Sequence, residues 1–282
     1  MSSVTEKLVR YGFSSGQAQI LEEMYPEQTG GVAGAIHSYY HFHGFAGQQS
    51  SDDDKFYDMV GLNHASRGAN LSIVQLWATA GYASTVDPAS GTENSVLRMP
   101  SLNFDYAGGE KLIVWWLGKA TPEATNFTLI GDGVSTSLHG FQARVKTDGK
   151  LDLVLFGSTA GYSTYSTAAP FDGNLHSIAF AFDGARKEHC IWVDEAVSYG
   201  GNVGFSEFNS GTAHDTKTSN TLNIGHAHAA PGQTWESGVV KTRALAVLRL
   251  PADYDMPGAT TLTSVFQQLR ANPGRLISAS AF

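Results

Sequence analysis

The side chains that could do chemistry fall into three groups. His41-Phe-His43 and His226-Ala-His228 each place two imidazoles at alternate positions. On a strand that spacing puts both rings on one face, which is how such pairs converge on zinc or copper. A metal would need further ligands, from the second pair or from His214 or Asp215, so the alternative is that these histidines are ordinary surface or hydrogen-bonded groups. The acidic cluster Asp52-Asp53-Asp54 follows Ser50-Ser51 and reads as a solvated loop. Carboxylates in a loop are hard oxygen ligands, so calcium is chemically conceivable, but the spacing matches no dedicated calcium motif. No cofactor is therefore expected.

The third group is aromatic. A sugar-binding surface needs an exposed ring beside groups that hold hydroxyls. The tract Tyr162-Ser-Thr-Tyr165-Ser-Thr, and Trp235 beside Gln233 and Glu236, supply the rings expected in loops. Tyr162, Tyr165, Trp235 and Gln233 are thus the candidate glycan-binding residues. Trp115 and Trp116 are consecutive, so in a strand they face opposite ways. At least one of them, and Trp192, is expected in the core.

These residues need a scaffold, and the composition says which kind. The 282 residues are 42% apolar and 11% aromatic, enough for a sizeable core, but only 16% charged, against roughly 25% in an average globular chain. Thirty-one glycines punctuate short β-branched and aromatic runs, as in a turn-rich β protein. The net charge of −8, with no concentrated basic patch, argues against nucleic acid. No apolar stretch approaches the roughly 20 residues of a membrane span. Cys190 is the single cysteine, so no intrachain disulfide can form. The first residues lack the basic-then-apolar pattern of a signal peptide, and synthesis in a reducing cytoplasm is expected.

Residues 1–30 are expected to form a helical arm. Ser3 with Glu6 and Ser14 with Gln17 have the spacing of capping boxes, and Val4, Leu8, Ile20, Leu21 and Met24 give narrow apolar stripes. The arm packs either on its own sandwich or on a neighbouring subunit; these five residues are the candidate assembly contacts. From Ile36 to about residue 250 the period is that of strands. KLIVWWL (111–117) reads as a central strand buried on both faces. FQARVK (141–146) and LDLVLF (151–156) flank Thr147-Asp148-Gly149-Lys150, where Asp-Gly is expected to supply the positive φ values of a tight hairpin. SIAFAF (177–182) and HCIWVDE (189–195) form a second hairpin through Asp183-Gly184. TLNIG (221–225) and ALAVLRL (244–250) are further strands. Beyond Pro251, Leu262, Val265, Phe266 and Leu269 repeat at helical spacing, and Asn272-Pro273 closes the segment.

Asp172-Gly-Asn-Leu-His176-Ser-Ile-Ala-Phe-Ala-Phe-Asp183-Gly, followed by Cys190-Ile-Trp-Val-Asp194, resembles the signature hairpin of laminin-G-like and pentraxin-like domains of the concanavalin A-like superfamily. Glu195 stands where that pattern has glycine. Phe56-Tyr57-Asp58-Met-Val-Gly61-Leu-Asn63-His64 is similar to the family's early turn, and IVWWLGKA to one of its strands. Leu269-Arg-Ala-Asn272-Pro273-Gly-Arg-Leu276 resembles the closing segment of phage-borne members, without their tryptophan. The resemblance implies an all-β jelly-roll sandwich over residues 31–282, with a helical segment and tail at its end, whose concave face and rim loops can bind glycans or proteins. His176 is expected to bond a neighbouring turn.

Catalytic members of the superfamily carry Glu, Asp and Glu on one strand face, to flank a glycosidic bond. Neither Glu-x-Asp-x-Glu nor Glu-x-Asp-x-x-Glu occurs here, so no enzyme is expected. The resemblance points to a virion structural protein of a tailed phage: a capsid decoration, collar, tail or fibre component. Its partners would be other virion proteins or copies of itself, and host surface glycans are candidate ligands. A stand-alone lectin or adhesin is the alternative; a glycoside hydrolase ranks behind both.

Overall fold

The computed structural model describes residues 36–41, 55–56, 65–67, 83–84, 97–133, 139–157, 161–199, 204–207, 220–225 and 238–271. The candidate arm 1–30, Trp235, Gln233, Asp52-Asp53-Asp54, His43, His226 and His228 lie outside them.

The described residues form two antiparallel sheets and one helix. In chain order the strands are β1 (Ile36–His41), β2 (Lys55–Phe56), β3 (Ala65–Arg67), β4 (Ala83–Ser84), β5 (Leu97–Ser101), β6 (Lys111–Ala120), β7 (Phe127–Gly131) and β8 (Gly140–Val145). They continue as β9 (Leu151–Phe156), β10 (Gly161–Tyr165), β11 (His176–Asp183), β12 (Glu188–Val193), β13 (Ala196–Val197), β14 (Ser206–Glu207), β15 (Thr221–Ile224) and β16 (Val240–Leu250). The helix α1 spans Ala259–Ala271. The first sheet runs β1-β16-β6-β11-β12-β13, with β14 beside β12 and β4 beside β16; the second runs β10-β9-β8-β7-β15-β5-β3-β2. No described helix is long and apolar enough to cross a membrane.

The KLIVWWL run sits where its lack of alternation requires. In β6 it is hydrogen-bonded to β11 on one side and β16 on the other, and all seven side chains are buried. Its two faces meet different layers. Phe180 packs on Phe141 of the second sheet, ring centroids 5.5 Å apart, so Ile178, Phe180 and Phe182 point between the sheets. Trp192 of β12 meets Phe266 of α1 at 5.1 Å, on the opposite face. The helix buries Leu262, Val265, Phe266 and Leu269 there, which explains why Ala179 and Ala181 are as buried as the phenylalanines between them. Trp115 and Trp116 are both core. Each indole donates to a buried hydroxyl at 2.9 Å, Trp115 to Ser177 and Trp116 to Thr242.

Both sequence-predicted hairpins form, with turns unlike those expected. Between β8 and β9 only Gly149 has positive φ (78°), not Asp148. Gly149 N–H donates to Lys146 C=O and Lys146 N–H to Lys150 C=O, each at 2.9 Å, which marks a three-residue loop ending in a left-handed glycine rather than a two-residue turn. Between β11 and β12 the left-handed residue is Lys187 (φ 58°). Gly184 is required there for space. A Cβ on it would lie 2.5 Å from Tyr106 C=O and 2.6 Å from Glu110 C=O.

Candidate functional site

Two polar clusters stand out on this scaffold. The first ties α1 to the sandwich. Asp194 and Glu195 form the turn between β12 and β13, both in the left-handed region at φ 48° and 61°. Asp194 accepts from His176 Nδ1 at 2.7 Å and from Ser177 N–H at 3.1 Å. His176 Nε2 lies 3.0 Å from Asp172, whose carboxylate also receives Asn174 N–H at 2.8 Å. Arg270, in the last turn of α1, donates to Asp194 at 2.6 Å and Glu195 at 3.0 Å. Bonds from the Asn174 backbone and side chain bring Asp172 down to about 2. Burial pushes Asp194 up, but the bonds from His176 and Ser177 and the charges of His176 and Arg270 outweigh it and leave it lowered. The cluster is closed on itself, and His176 bonds a neighbouring turn as its place in the hairpin implies.

The second cluster lies on the second sheet, on the face away from the core. Strand parity places Arg144, Lys146, Lys150, Asp152, Ser163 and Tyr165 on that face, with Tyr165 opposite Asp152 and Asp152 opposite Arg144. Its centre is closed to solvent. Thr128, Gln142, Asp152 and Asn223 are all buried, with Gln142 Nε2 donating to Thr128 Oγ1 at 2.6 Å. Asp152 is paired with Arg144, whose Nε donates at 2.9 Å; burial outweighs that pairing and raises its pKa.

The rim of this face is open. Tyr165 ends the edge strand β10 and is 47% exposed, the one exposed large hydrophobic side chain among the described residues. Lys146 Nζ sits 4.0 Å from the centre of its ring, and Ser163 Oγ is 3.4 Å from its hydroxyl. The β8–β9 turn adds Asp148, with the ammonium groups of Lys146 and Lys150 each 3.8 Å from its Oδ2. One ring face carries a cation. The half-exposed ring of Tyr165, with Lys146 and Ser163 beside it, is an aromatic surface with polar neighbours.

Of the candidate glycan residues, the structure describes Tyr165 in full. Tyr162 lies in β10 in register with Leu155, a core residue, while Tyr165 is in register with Asp152. Lys146, Asp148 and Lys150 were not among the sequence-predicted site residues. The predicted hairpin puts Lys146 and Lys150 across from one another, but Tyr162 and Tyr165, expected in a loop, lie in strand β10, and it is the pairing of β10 with β9 that brings the ring to this hairpin. Arg270 had no local signal, being 76 residues from Asp194. Among the described residues, no three His, Cys, Asp or Glu side chains gather as a metal set. His189 is buried against Tyr199, and burial, partly offset by its bond to Ser206 C=O, brings it down to about 4. Cys190 is buried and pushed up to about 12, so its thiol is unreactive at neutral pH.

No protein-family model matches this chain, and no curated protein matches it. Solved structures do. The binding domain of botulinum neurotoxin serotype C1 matches with a TM-score of 0.54 at 9% identity, over 84% of this chain and 53% of that one. The serotype G binding domain matches with a TM-score of 0.53 at 10% identity, over 84% and 52%. Trypanosoma rangeli sialidase gives 0.49 at 12% identity, over 85% and 33%. The chain thus spans about half the length of the neurotoxin domains it matches. At such identities the likeness is one of fold. The protein is an all-β sandwich, consistent with the concanavalin A-like architecture that its hairpin resembles.

Proposed function

We propose that this protein is a non-enzymatic glycan-binding sandwich, and that it serves as the adhesive body of a virion structural component. The observation that carries the first part is Tyr165. Leaving a large ring half in water at a sheet edge has a natural explanation in a ligand that stacks on it. Ser163, Lys146 and Asp148 supply donors and acceptors for hydroxyls around that ring.

Binding is favoured over turnover because the deeply placed carboxylates serve the fold. Asp132 accepts Phe141 N–H at 2.9 Å, Asp183 caps the β11–β12 turn through Ala185 and Arg186 N–H, and Glu110 is clasped by Arg249. A glycosidase would hold two carboxyls facing each other across substrate. The virion role rests on the likeness of residues 269–276 to phage-borne members, and Asn272 onward lies outside the described residues.

A glycan array probed with the purified full chain tests the binding reading. Expected are discrete hits that Tyr165→Ala removes while the unfolding midpoint stays put. Silence across the array, or hits indifferent to Tyr165→Ala, would overturn it. Mass spectrometry of purified particles tests the virion role, which predicts stoichiometric copies, and release of reducing ends from bound polysaccharide would overturn the non-enzymatic one.

A further inference from the structure

The Lys146 ammonium over Tyr165, and the Lys150 ammonium that shares Asp148 with it, point one step further, which rests on the glycan-binding proposal above. We infer that the rim selects glycans bearing an anionic group, a carboxylate or a sulfate ester, and that Lys146 and Lys150 are the residues that recognise it.

Cations elsewhere in the molecule are partnered within the fold. Arg249 lies 2.9 Å and 2.5 Å from the oxygens of Glu110, and Arg270 lies 2.6 Å and 3.0 Å from Asp194 and Glu195. Those guanidinium groups are spent on the fold. Lys146 and Lys150 differ. Each lies 3.8 Å from the same oxygen of Asp148, outside hydrogen-bond length, and neither ammonium has a hydrogen-bond acceptor among the described residues. An ammonium has three donors to place. Asp148 is itself engaged by Lys150 N–H at 3.2 Å, so one carboxylate is shared between two cations and its own turn.

On this face and its turn, Arg144, Lys146 and Lys150 stand against Asp148 and Asp152, three cations to two carboxylates. That is a local excess of positive charge on a chain whose net charge is −8. At physiological salt the wider negative field is screened beyond about 8 Å, so an anion at the rim feels chiefly these lysines. A sugar stacked on the exposed part of Tyr165 brings its substituents toward the Lys146 ammonium and, across the shared Asp148, toward Lys150.

The test compares a sulfated polysaccharide (heparin), a polyuronate (alginate) and a neutral glucan (dextran) as ligands for the full chain, with anionic phospholipid vesicles as a polyanion control. Expected is tighter binding of one or both acidic glycans than of dextran, weakening with salt; which one binds separates sulfate from carboxylate. Lys146→Gln and Lys150→Gln should each cost about two- to fivefold on the acidic ligand, the scale of a partly exposed charge contact. Tyr165→Ala should abolish binding. Equal affinity for acidic and neutral glycans would overturn the inference and leave the glycan reading standing, whereas no binding to any glycan would remove both. Acidic binding that survives Tyr165→Ala and is matched by the vesicles would overturn the inference as nonspecific ion exchange.

Discussion

The turn that holds α1 and the rim around Tyr165 are both charged hairpin ends, and they treat their charges in opposite ways. At the first, Asp172, His176, Asp194, Glu195 and Arg270 bond to one another, and two non-glycine residues accept left-handed backbone to do so. At the second, two ammonium groups share one carboxylate at 3.8 Å and a ring stays in water. A polar group already satisfied by the fold has little left for a ligand, because a new partner must displace an old one. Charge density does not distinguish a structural cluster from a binding one; the partnering of each group does.

The largest effect that would probe this contrast is on the clamp side. Trp192 packs on Phe266 and donates to Thr263 Oγ1 at 3.0 Å, so Trp192→Ala removes the main contact under α1. It should cost about 3–5 kcal/mol in urea unfolding. A loss below about 1 kcal/mol would mean that α1 is an appendage rather than a layer of the fold. Arg270→Ala comes next. It strands two carboxylates that are only partly exposed, for an expected loss of about 1–2 kcal/mol, discounted for solvent access. Glycan binding should be unchanged in this variant; a parallel loss of both would join the two regions that the comparison separates.

Proton linkage separates them by sign. Asp194 is lowered in the folded state, so its stabilisation is full above its unfolded value near 3.9 and is lost as pH falls through the folded value. Asp152 is raised by burial, so it opposes folding at neutral pH, and that cost fades as pH falls through its folded value toward the unfolded one. Asp194→Asn should therefore flatten the acid limb of stability measured by urea midpoints below about pH 4, and Asp152→Asn should steepen the net fall in the range just above it. Identical profiles for the two variants would contradict the assignment. Tyr165→Ala should move stability by no more than about 0.5 kcal/mol, as befits an exposed edge residue, while removing glycan binding.

The residues themselves show why some of this was legible in the chain and some was not. The unbroken apolar run of β6 has no polar face to offer solvent, so a central strand is the one place for it. The 262-265-266-269 spacing marks the buried stripe of α1 for the same kind of reason. Turn conformation was less legible. Asp148-Gly149 is compatible with two hairpin loops, and strand register decided between them. Gly184 owes its identity to carbonyls of Tyr106 and Glu110, far away in sequence. The clamp was not legible, since nothing local to Asp194 names Arg270. Tyr165 was legible as a ring among small polar residues, but its lysines required knowing which strand lies beside which.

Glu195 offers the finest test, because two of its effects nearly cancel. Its left-handed backbone costs a non-glycine residue about 1 kcal/mol, and its Oε1 is buried without a partner among the described residues. Against these stands its bond to Arg270. Glu195→Gly, the residue that the hairpin family carries, relieves the first two and loses the third, so the expected net change is within about 0.5 kcal/mol of zero. Glu195→Ala loses the same bond and keeps the backbone cost, so it should be less stable than Glu195→Gly by about 1 kcal/mol. In the Arg270→Ala background the bond is already gone, and Glu195→Gly should become plainly stabilising. A Glu195→Gly loss approaching that of Arg270→Ala would show that the Glu195 half of the clamp outweighs the strain it imposes.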